Sequence, residues 1–321
     1  MPTRTRNVSA LAVQAAPALL PGSGWWLIDC GEGTQQQLLR TRLSPHDLAG
    51  VCISHVHGDH CYGLPGLLAS AGMGGRHEPL RLIAPPPVWQ WLQATRQCTD
   101  LHLPYPIQFT DVAALHAQPL TLAASGQASL ALSAHPQAHR VPSHAFRFEL
   151  VQRQVRLETA ALQAAGLPPG PAWRALQQGQ DVTHQGRQLR SADFVHTQTR
   201  RLAAVLGGDN ARPDVLRAAC EGAQLLVHEA TYSRAALQKA GPGPMHSSAH
   251  DVAAFAQTAG VPSLILTHFS PRHHSQAEQE MLLQEVRAAY RGAAFLARDF
   301  DQYVLDFDGQ LRLQPSAVSA S

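Results

Sequence analysis

The chain has 321 residues, 45% of them hydrophobic and 15% charged, with a formal net charge of +2 at pH 7. That composition suits a globular core, excludes a disordered chain, and lacks the strongly basic balance that would by itself announce nucleic acid. No apolar run approaches the ~20 residues of a spanning helix, and the cysteines form no CxxC pair; both observations exclude function classes, and the second points to a reducing, cytoplasmic compartment without disulfides or a Cys-type zinc site.

The length allows about two ordinary domains or one large α/β domain. Arg4 and Arg6 precede Ala10-Leu11-Ala12-Val13, a superficial likeness to a signal peptide, but Gln14 interrupts the run and it reads as a strand. Nearly all positive charge is arginine, with Lys239 the only lysine, a bias that suits phosphate and can equally reflect genome composition. Val51-Cys52-Ile53 then runs into Ser54-His55-Val56-His57-Gly58-Asp59-His60, three imidazoles and a carboxylate packed together. Histidine nitrogen and carboxylate oxygen suit zinc and related metals. Alternate side chains of an extended loop share a side, so His55 and His57 can meet one metal while Asp59 and His60 turn to a neighbour.

Residues 111–135 read as alternating strands without assignable chemistry. Residues 150–195 read as a protruding arm: a short helix over Glu158–Ala165, a rigid turn through Pro168-Pro169-Gly170-Pro171, a helix around Trp173, and a polar hairpin at Gln185-Gly186. Three further apolar runs end at potential ligands: Ala204–Leu206 before Gly207-Gly208-Asp209, Leu225–Val227 before His228-Glu229, and Leu264–Leu266 before Thr267-His268. Helical segments lie between them, one from Pro213 to Gly222 and one capped by Ser247 or Ser248 and stopped at Gly260. Strand–helix alternation predicts an α/β sheet, and ligands at the carboxyl ends of its strands converge on one crevice. The tail after Pro315 reads as disordered.

The motifs Asp29-Cys30-Gly31-Glu32-Gly33-Thr34-Gln35, His55–His60 continuing to Gly63-Leu64-Pro65-Gly66, and His139-Arg140-Val141-Pro142-Ser143 carry a specific resemblance. With Gly208-Asp209, His228-Glu229-Ala230-Thr231, His246-Ser247-Ser248 and Thr267-His268-Phe269-Ser270, the chain resembles ribonuclease Z, the tRNA 3′-processing endonuclease family of the metallo-β-lactamase fold. The resemblance runs from Arg6-Asn7 to Arg272. It implies an αββα sandwich, two mixed sheets flanked by helices, forming a single domain over residues 1–321 with the arm inserted at 150–195.

It further implies two zinc ions, manganese being the alternative, with His55, His57 and His139 on one, Asp59, His60 and His268 on the other, and Asp209 between them. Asp59 would orient the attacking hydroxide, and His246, positioned by Glu229, would protonate the leaving ribose oxygen of a precursor tRNA. Ser270 and Arg272 are candidate phosphate contacts. Gly170 and Pro171 mark the arm that would clamp the tRNA body, across a homodimer and with no membrane partner. The nearest alternative is a related hydrolase of small phosphodiesters, sulfate esters or other RNA 3′ ends; a metal-free RNA-binding protein is the alternative from a different class.

Rival readings attach to several residues. His135 competes with His139 but precedes a proline, whereas the residues after His139 match the family. His144 reads as supporting or on the surface, His228 as supporting rather than ligating, and Asp29 as a structural hydrogen-bond acceptor. His77, His102, His116, His184, His196, His273 and His274 read as ordinary solvated histidines, and Trp173 as a packing anchor. The chain departs from the family pattern in opening at Met1-Pro2-Thr3-Arg4, past a usual first strand, so either a start lies upstream or a sheet edge is left exposed. It also has Gly-Asp-Asn in place of Gly-Asp-Thr, Ala145 for a glycine and His273 for a tyrosine.

Overall fold

The computed structural model describes residues 2–314; the tail that reads as disordered lies outside the described residues. The first half builds strands β1 (Leu11–Val13), β2 (Trp25–Ile28), β3 (Leu48–Cys52), β4 (Leu80–Ala84) and β5 (Ile107–Asp111), with helices α1 (Thr34–Leu38), α2 (Gly58–Cys61), α3 (Leu64–Met73) and α4 (Pro86–Cys98) between them. The strands form one sheet in the order β1-β2-β3-β4-β5, parallel except for β1, which runs antiparallel to β2. The edge on that side is thus a three-residue strand, the short form by which sheets blunt an open edge.

The period of two along β2 and β3 explains the layering. Trp26, Ile28 and Cys52 pack between the sheets, whereas Trp25, Leu27 and Val51 pack outward beneath α3 and α4 with Leu64, Leu68 and Leu92. Burial on both faces is why these runs read as continuously apolar.

The second half continues with β6 (Leu120–Ala124), β7 (Ala128–Gln137), β8 (Ser143–Leu157), helices α5 (Thr159–Ala164) and α6 (Pro171–Gln177), the hairpin β9 (Val182–His184) and β10 (Arg187–Leu189), and β11 (Val195–Leu206). After α7 (Arg217–Cys220) come β12 (Leu225–Glu229), α8 (Arg234–Ala240), α9 (Ala249–Ala259), β13 (Ser263–Thr267), α10 (Gln276–Ala289), β14 (Ala293–Leu296) and the hairpin β15 (Gln302–Leu305) and β16 (Leu311–Gln314). Seven strands form the second sheet, ordered β14-β13-β12-β11-β8-β7-β6. It is parallel from β14 to β11 and antiparallel from β11 to β6. Its inner face meets the first sheet through Leu132, Phe146, Leu206, Val227 and Ile265, and its outer face is covered by α9 and α10 through Val252, Phe255, Leu282 and Val286. Helix, sheet, sheet and helix therefore stack as four layers, the architecture the resemblance implies.

Beyond the sandwich, β8 and β11 continue as a two-stranded ribbon whose pairing ends at Leu157 and Val195. The segment between them has its own small core of Leu162, Leu167, Leu176 and Leu189. Trp173 is half-buried there and its indole N–H donates to the Leu167 carbonyl at 3.1 Å, a packing anchor as expected. Gly170 and Pro171 start α6 and are exposed. No helix among the described residues is long and apolar enough to cross a membrane.

Candidate metal centre

The strand ends deliver the ligands as the topology requires. His55 follows β3, Asp209 follows β11, and His268 follows β13 at the carboxyl edges of the two sheets. His57 is the residue before α2, whose first turn carries Asp59 and His60. Gly208 permits the approach of the two sheets here: a Cβ on it would lie 2.6 Å from the Ser54 Cβ.

Asp209, buried at 3% exposure, divides the cluster by its two oxygens. Its Oδ2 lies 3.7 Å from His55 Nε2 and 3.8 Å from His139 Nε2. Its Oδ1 lies 3.4 Å from His60 Nε2 and 3.5 Å from His268 Nε2, and His268 Nε2 is in turn 3.5 Å from Asp59 Oδ2. His57 Nδ1 completes the first set, 3.0 Å from His55 Nε2 and 3.2 Å from His139 Nε2. Ligand atoms on a tetrahedral metal with ~2.05 Å bonds stand about 3.3 Å apart, close to these spacings. Three atoms of the second set, His60 Nε2, Asp209 Oδ1 and His268 Nε2, are buried and have no hydrogen-bond partner. Orphaned polar atoms that converge on one point are costly unless a cation satisfies them. The residues present therefore fit two divalent metal positions sharing Asp209.

Electrostatics supports the same division. Burial, joined by His60, pushes His55 down to about 2, and burial likewise lowers His57 and His139, so these rings are neutral and free to ligate. Burial opposes protonation of His60 and His268, but Asp29 and Asp209 around the first and Asp209 and Asp59 around the second outweigh it and raise both. A divalent cation would take the place of those protons. The His268 ring nitrogen 3.5 Å away, reinforced by His60, holds Asp59 well below the usual carboxylate range.

Supporting residues fix each ring. Asp29 accepts from the Ser54 N–H at 2.7 Å, from the Ser54 hydroxyl at 2.9 Å, and from His60 Nδ1 at 2.7 Å, leaving Nε2 for the centre. It does so at a φ of 59°, a left-handed conformation that aspartate tolerates. His139 Nδ1 donates to the Met245 carbonyl at 2.9 Å, so Nε2 faces His57. His135 lies outside the cluster, its Nε2 on the Ser133 hydroxyl at 3.0 Å. His144 is buried and donates to the Ser54 carbonyl at 3.0 Å.

His246 Nδ1 stands 3.2 Å from Glu229 Oε1, and its ring stacks on His268 with centroids 5.4 Å apart. Glu229 is buried and also accepts from Ser247 N–H and from the N–H and hydroxyl of Thr231, and the His246 contact holds its carboxyl low against burial. The pair is rigid on the Glu229 side, while His246 is half-buried and its Nε2 makes no hydrogen bond among the described residues.

His228 is buried between the Glu229 carbonyl and the Asn210 amide, a supporting position. Asn210, where the family pattern has threonine, also accepts from Ala138 N–H and Arg212 N–H and so ties the Asp209 loop to the His139 loop. Ser270 and Arg272 both lie on the turn after His268. The Ser270 hydroxyl accepts from the Arg272 N–H at 3.4 Å, and the Arg272 side chain is solvated.

Sequence reasoning missed Thr231, whose hydroxyl links Glu229 to His268, and Gln137, whose side chain accepts from the Gly208 N–H at 2.8 Å. Thr231 had a signal, its place beside Glu229; Gln137 had none. His273, read as solvated, is buried and accepts from the Ser233 N–H, because the turn before α10 folds back onto the start of α8.

Fold and centre together define a metallo-β-lactamase-type hydrolase, and a model of the metallo-beta-lactamase superfamily matches residues 6–123. The chain is 44% identical to a ribonuclease Z of Marinobacter nauticus over 97% of this chain and 94% of that one. It is 42% identical to a ribonuclease Z of Pseudomonas putida, covering 97% and 95%, and 36% identical to the ribonuclease BN of Escherichia coli, covering 94% and 95%. Among solved structures, the short form of human tRNase Z has the same fold, with a TM-score of 0.57 at 23% identity over 93% of each chain. The chain belongs to the ribonuclease Z family.

Proposed function

We propose that the chain is a zinc-dependent endoribonuclease that removes 3′ trailers from precursor tRNA, a single metallo-β-lactamase-like domain with an arm at 150–195. The observation that carries the metal assignment is Asp209, whose two oxygens face two separate ligand sets. His55, His57 and His139 would hold one zinc, and Asp59, His60 and His268 the other; manganese fits the same donors. Bound there, the ions would lower the pKa of water to about 7 and offset charge on the phosphate.

The chain's own residues supply the rest. Asp59 Oδ2, held ionised by His268, faces the centre and accepts a hydrogen bond from the attacking water, setting it in line with the bond to be broken. Glu229 holds His246 through Nδ1, which leaves Nε2 to deliver a proton to the departing ribose 3′ oxygen. The phosphorus–oxygen bond to the tRNA side breaks as water oxygen adds, giving tRNA with a 3′ hydroxyl and a trailer with a 5′ phosphate. Ser270 and Arg272, on the turn after His268, would contact a neighbouring phosphate.

The arm, carrying Arg153, Arg156, Arg174, Arg187 and Arg190 against Glu158, Asp181 and Asp193, would bind the tRNA body by backbone charge, with the exposed Gly170-Pro171 turn in contact. The enzyme acts as a homodimer: Leu39, Tyr62 and Met73 expose apolar surface that a second copy would cover. Its cysteines are all free, which suits the cytoplasm. Cleavage of a tRNA precursor should exceed that of a small chromogenic phosphodiester in kcat/KM and vanish on chelation. Preference for the small ester would replace this reading with the related hydrolase, and tRNA binding without metal or cleavage would replace it with a binding protein.

A further inference from the structure

A polar cavity of about 720 Å³ opens between the N-terminal segment, α1 and the loop before β15. Four arginines line it, Arg4, Arg6, Arg40 and Arg298, and none is ion-paired among the described residues, where arginine pairs occur only elsewhere. The one acid in the lining, Asp299, is committed, its Oδ2 accepting from Asn7 N–H at 2.8 Å and Gln37 Nε2 at 3.1 Å. Burial lowers the Arg6 pKa, against the pull of Asp299 and with the push of Arg298, and its Nη2 is buried without a partner. Converging guanidiniums with one engaged carboxylate lack an anion.

The remaining features fit a nucleotide. Arg40 lies over the Phe300 ring at 4.4 Å, and Phe300 takes a φ of 68°, a conformation a bulky side chain adopts only where its surroundings enforce it. An aromatic ring with a guanidinium upon it is a stacking platform that any base can use. The segment that lines the cavity also touches the centre's surroundings. The Arg6 guanidinium packs 4.6 Å from the Phe269 ring, next to His268, and Ser9 N–H donates to the Asp59 carbonyl at 3.2 Å.

We propose that this cavity is an RNA subsite that grips a backbone phosphate and its nucleotide flanking the cleaved bond, through Arg40 and Arg298 with Phe300 as the stacking face. Bidentate guanidinium–phosphate pairing supplies affinity without sequence preference. The inference rests on the RNA-cleaving reading of the metal centre, and a binding measurement separates the two.

The test compares the affinity of the full-length protein for a precursor tRNA across salt, in the wild type, the Arg40→Ala/Arg298→Ala double variant, the single Arg298→Gln, and Arg287→Ala as an exposed control. The double variant should lose about tenfold in affinity and flatten the dependence of log K on log salt by about one to two units, with the single variant near half of that. Arg287→Ala should match the wild type. Unchanged affinity and salt slope in variants whose melting is also unchanged would overturn the subsite. Titration with inorganic phosphate distinguishes a free-anion site: phosphate binding lost in the variants with RNA affinity intact would likewise overturn it. Failure of the wild type to cleave the precursor would bring down the reading of the centre, whereas the subsite is decided by the affinity difference alone.

Discussion

The centre and the arm are built on opposite principles. The centre gathers His55, His60, Asp209 and Glu229 at almost no exposure, with His60 hydrogen-bonded to Asp29, and Glu229 to Thr231 and Asn210. The arm has a small core of Leu162, Leu167, Leu176 and Leu189, with Trp173, Val182 and Phe194 half-buried against it, and most of its other residues are exposed on a ribbon. Rigid, dry, oriented groups suit bond breaking, where small displacements are costly. A solvated charged projection suits recognition of a large polyanion, where reach and charge matter more than placement. On the proposed function, turnover would fall to one region and much of the substrate affinity to the other.

The largest effect should come from Asp59→Ala. With the group that orients the attacking water removed, tRNA cleavage should fall by more than about a thousandfold while tRNA affinity stays within a few-fold of the wild type, read by single-turnover kinetics and filter binding. An equal loss of affinity would erase the division between the regions. Replacing the arm by a short turn from Leu157 to Val195 should act in reverse: kcat/KM for precursor tRNA drops while a small phosphodiester is still hydrolysed at the wild-type rate. Equal losses on both substrates would remove the arm from recognition.

A smaller effect is expected of Asp29→Asn. It leaves every proposed ligand in place but weakens the grip on His60 Nδ1, 2.7 Å away, and should cost about 10- to 100-fold in metal affinity by competition with a chelator. The smallest concerns stability and pH. His144 is buried and its pKa is lowered, burial being the main cause, so the folded protein favours the neutral ring. Below the ordinary value of 6.5 the unfolded chain takes up a proton that the fold resists, so this contribution is complete above that pH and is lost as pH falls toward the lowered folded value. His144→Gln should flatten the fall in the urea midpoint between about pH 7 and pH 5.

How much of this was legible in the sequence follows from the range of the interactions. His55, Asp209 and His268 were readable because each sits where an apolar run ends and strand ends of an α/β sandwich converge by topology, whereas His139 and the complete division into two sets came from the family resemblance. The arm's two helices and its Gln185-Gly186 hairpin were readable from local turn chemistry, and both residues do take positive φ. The supporting shell was less readable. The Gln137 contact to Gly208 and the Met245 carbonyl under His139 join segments 71 and 106 residues apart through groups with no local signature. His273 was misread because its burial depends on α8 folding against the turn before α10. The arginine cavity was invisible for the same reason, since Arg4, Arg40 and Arg298 meet only once the sandwich closes.

The most direct test is to incubate a precursor tRNA carrying a 3′ trailer with zinc-loaded protein and map both ends of the cut. The account predicts one break at the trailer junction, leaving a 3′ hydroxyl on the tRNA and a 5′ phosphate on the trailer, abolished by chelation and restored by zinc. An intact precursor under conditions where a small phosphodiester is readily hydrolysed would contradict it.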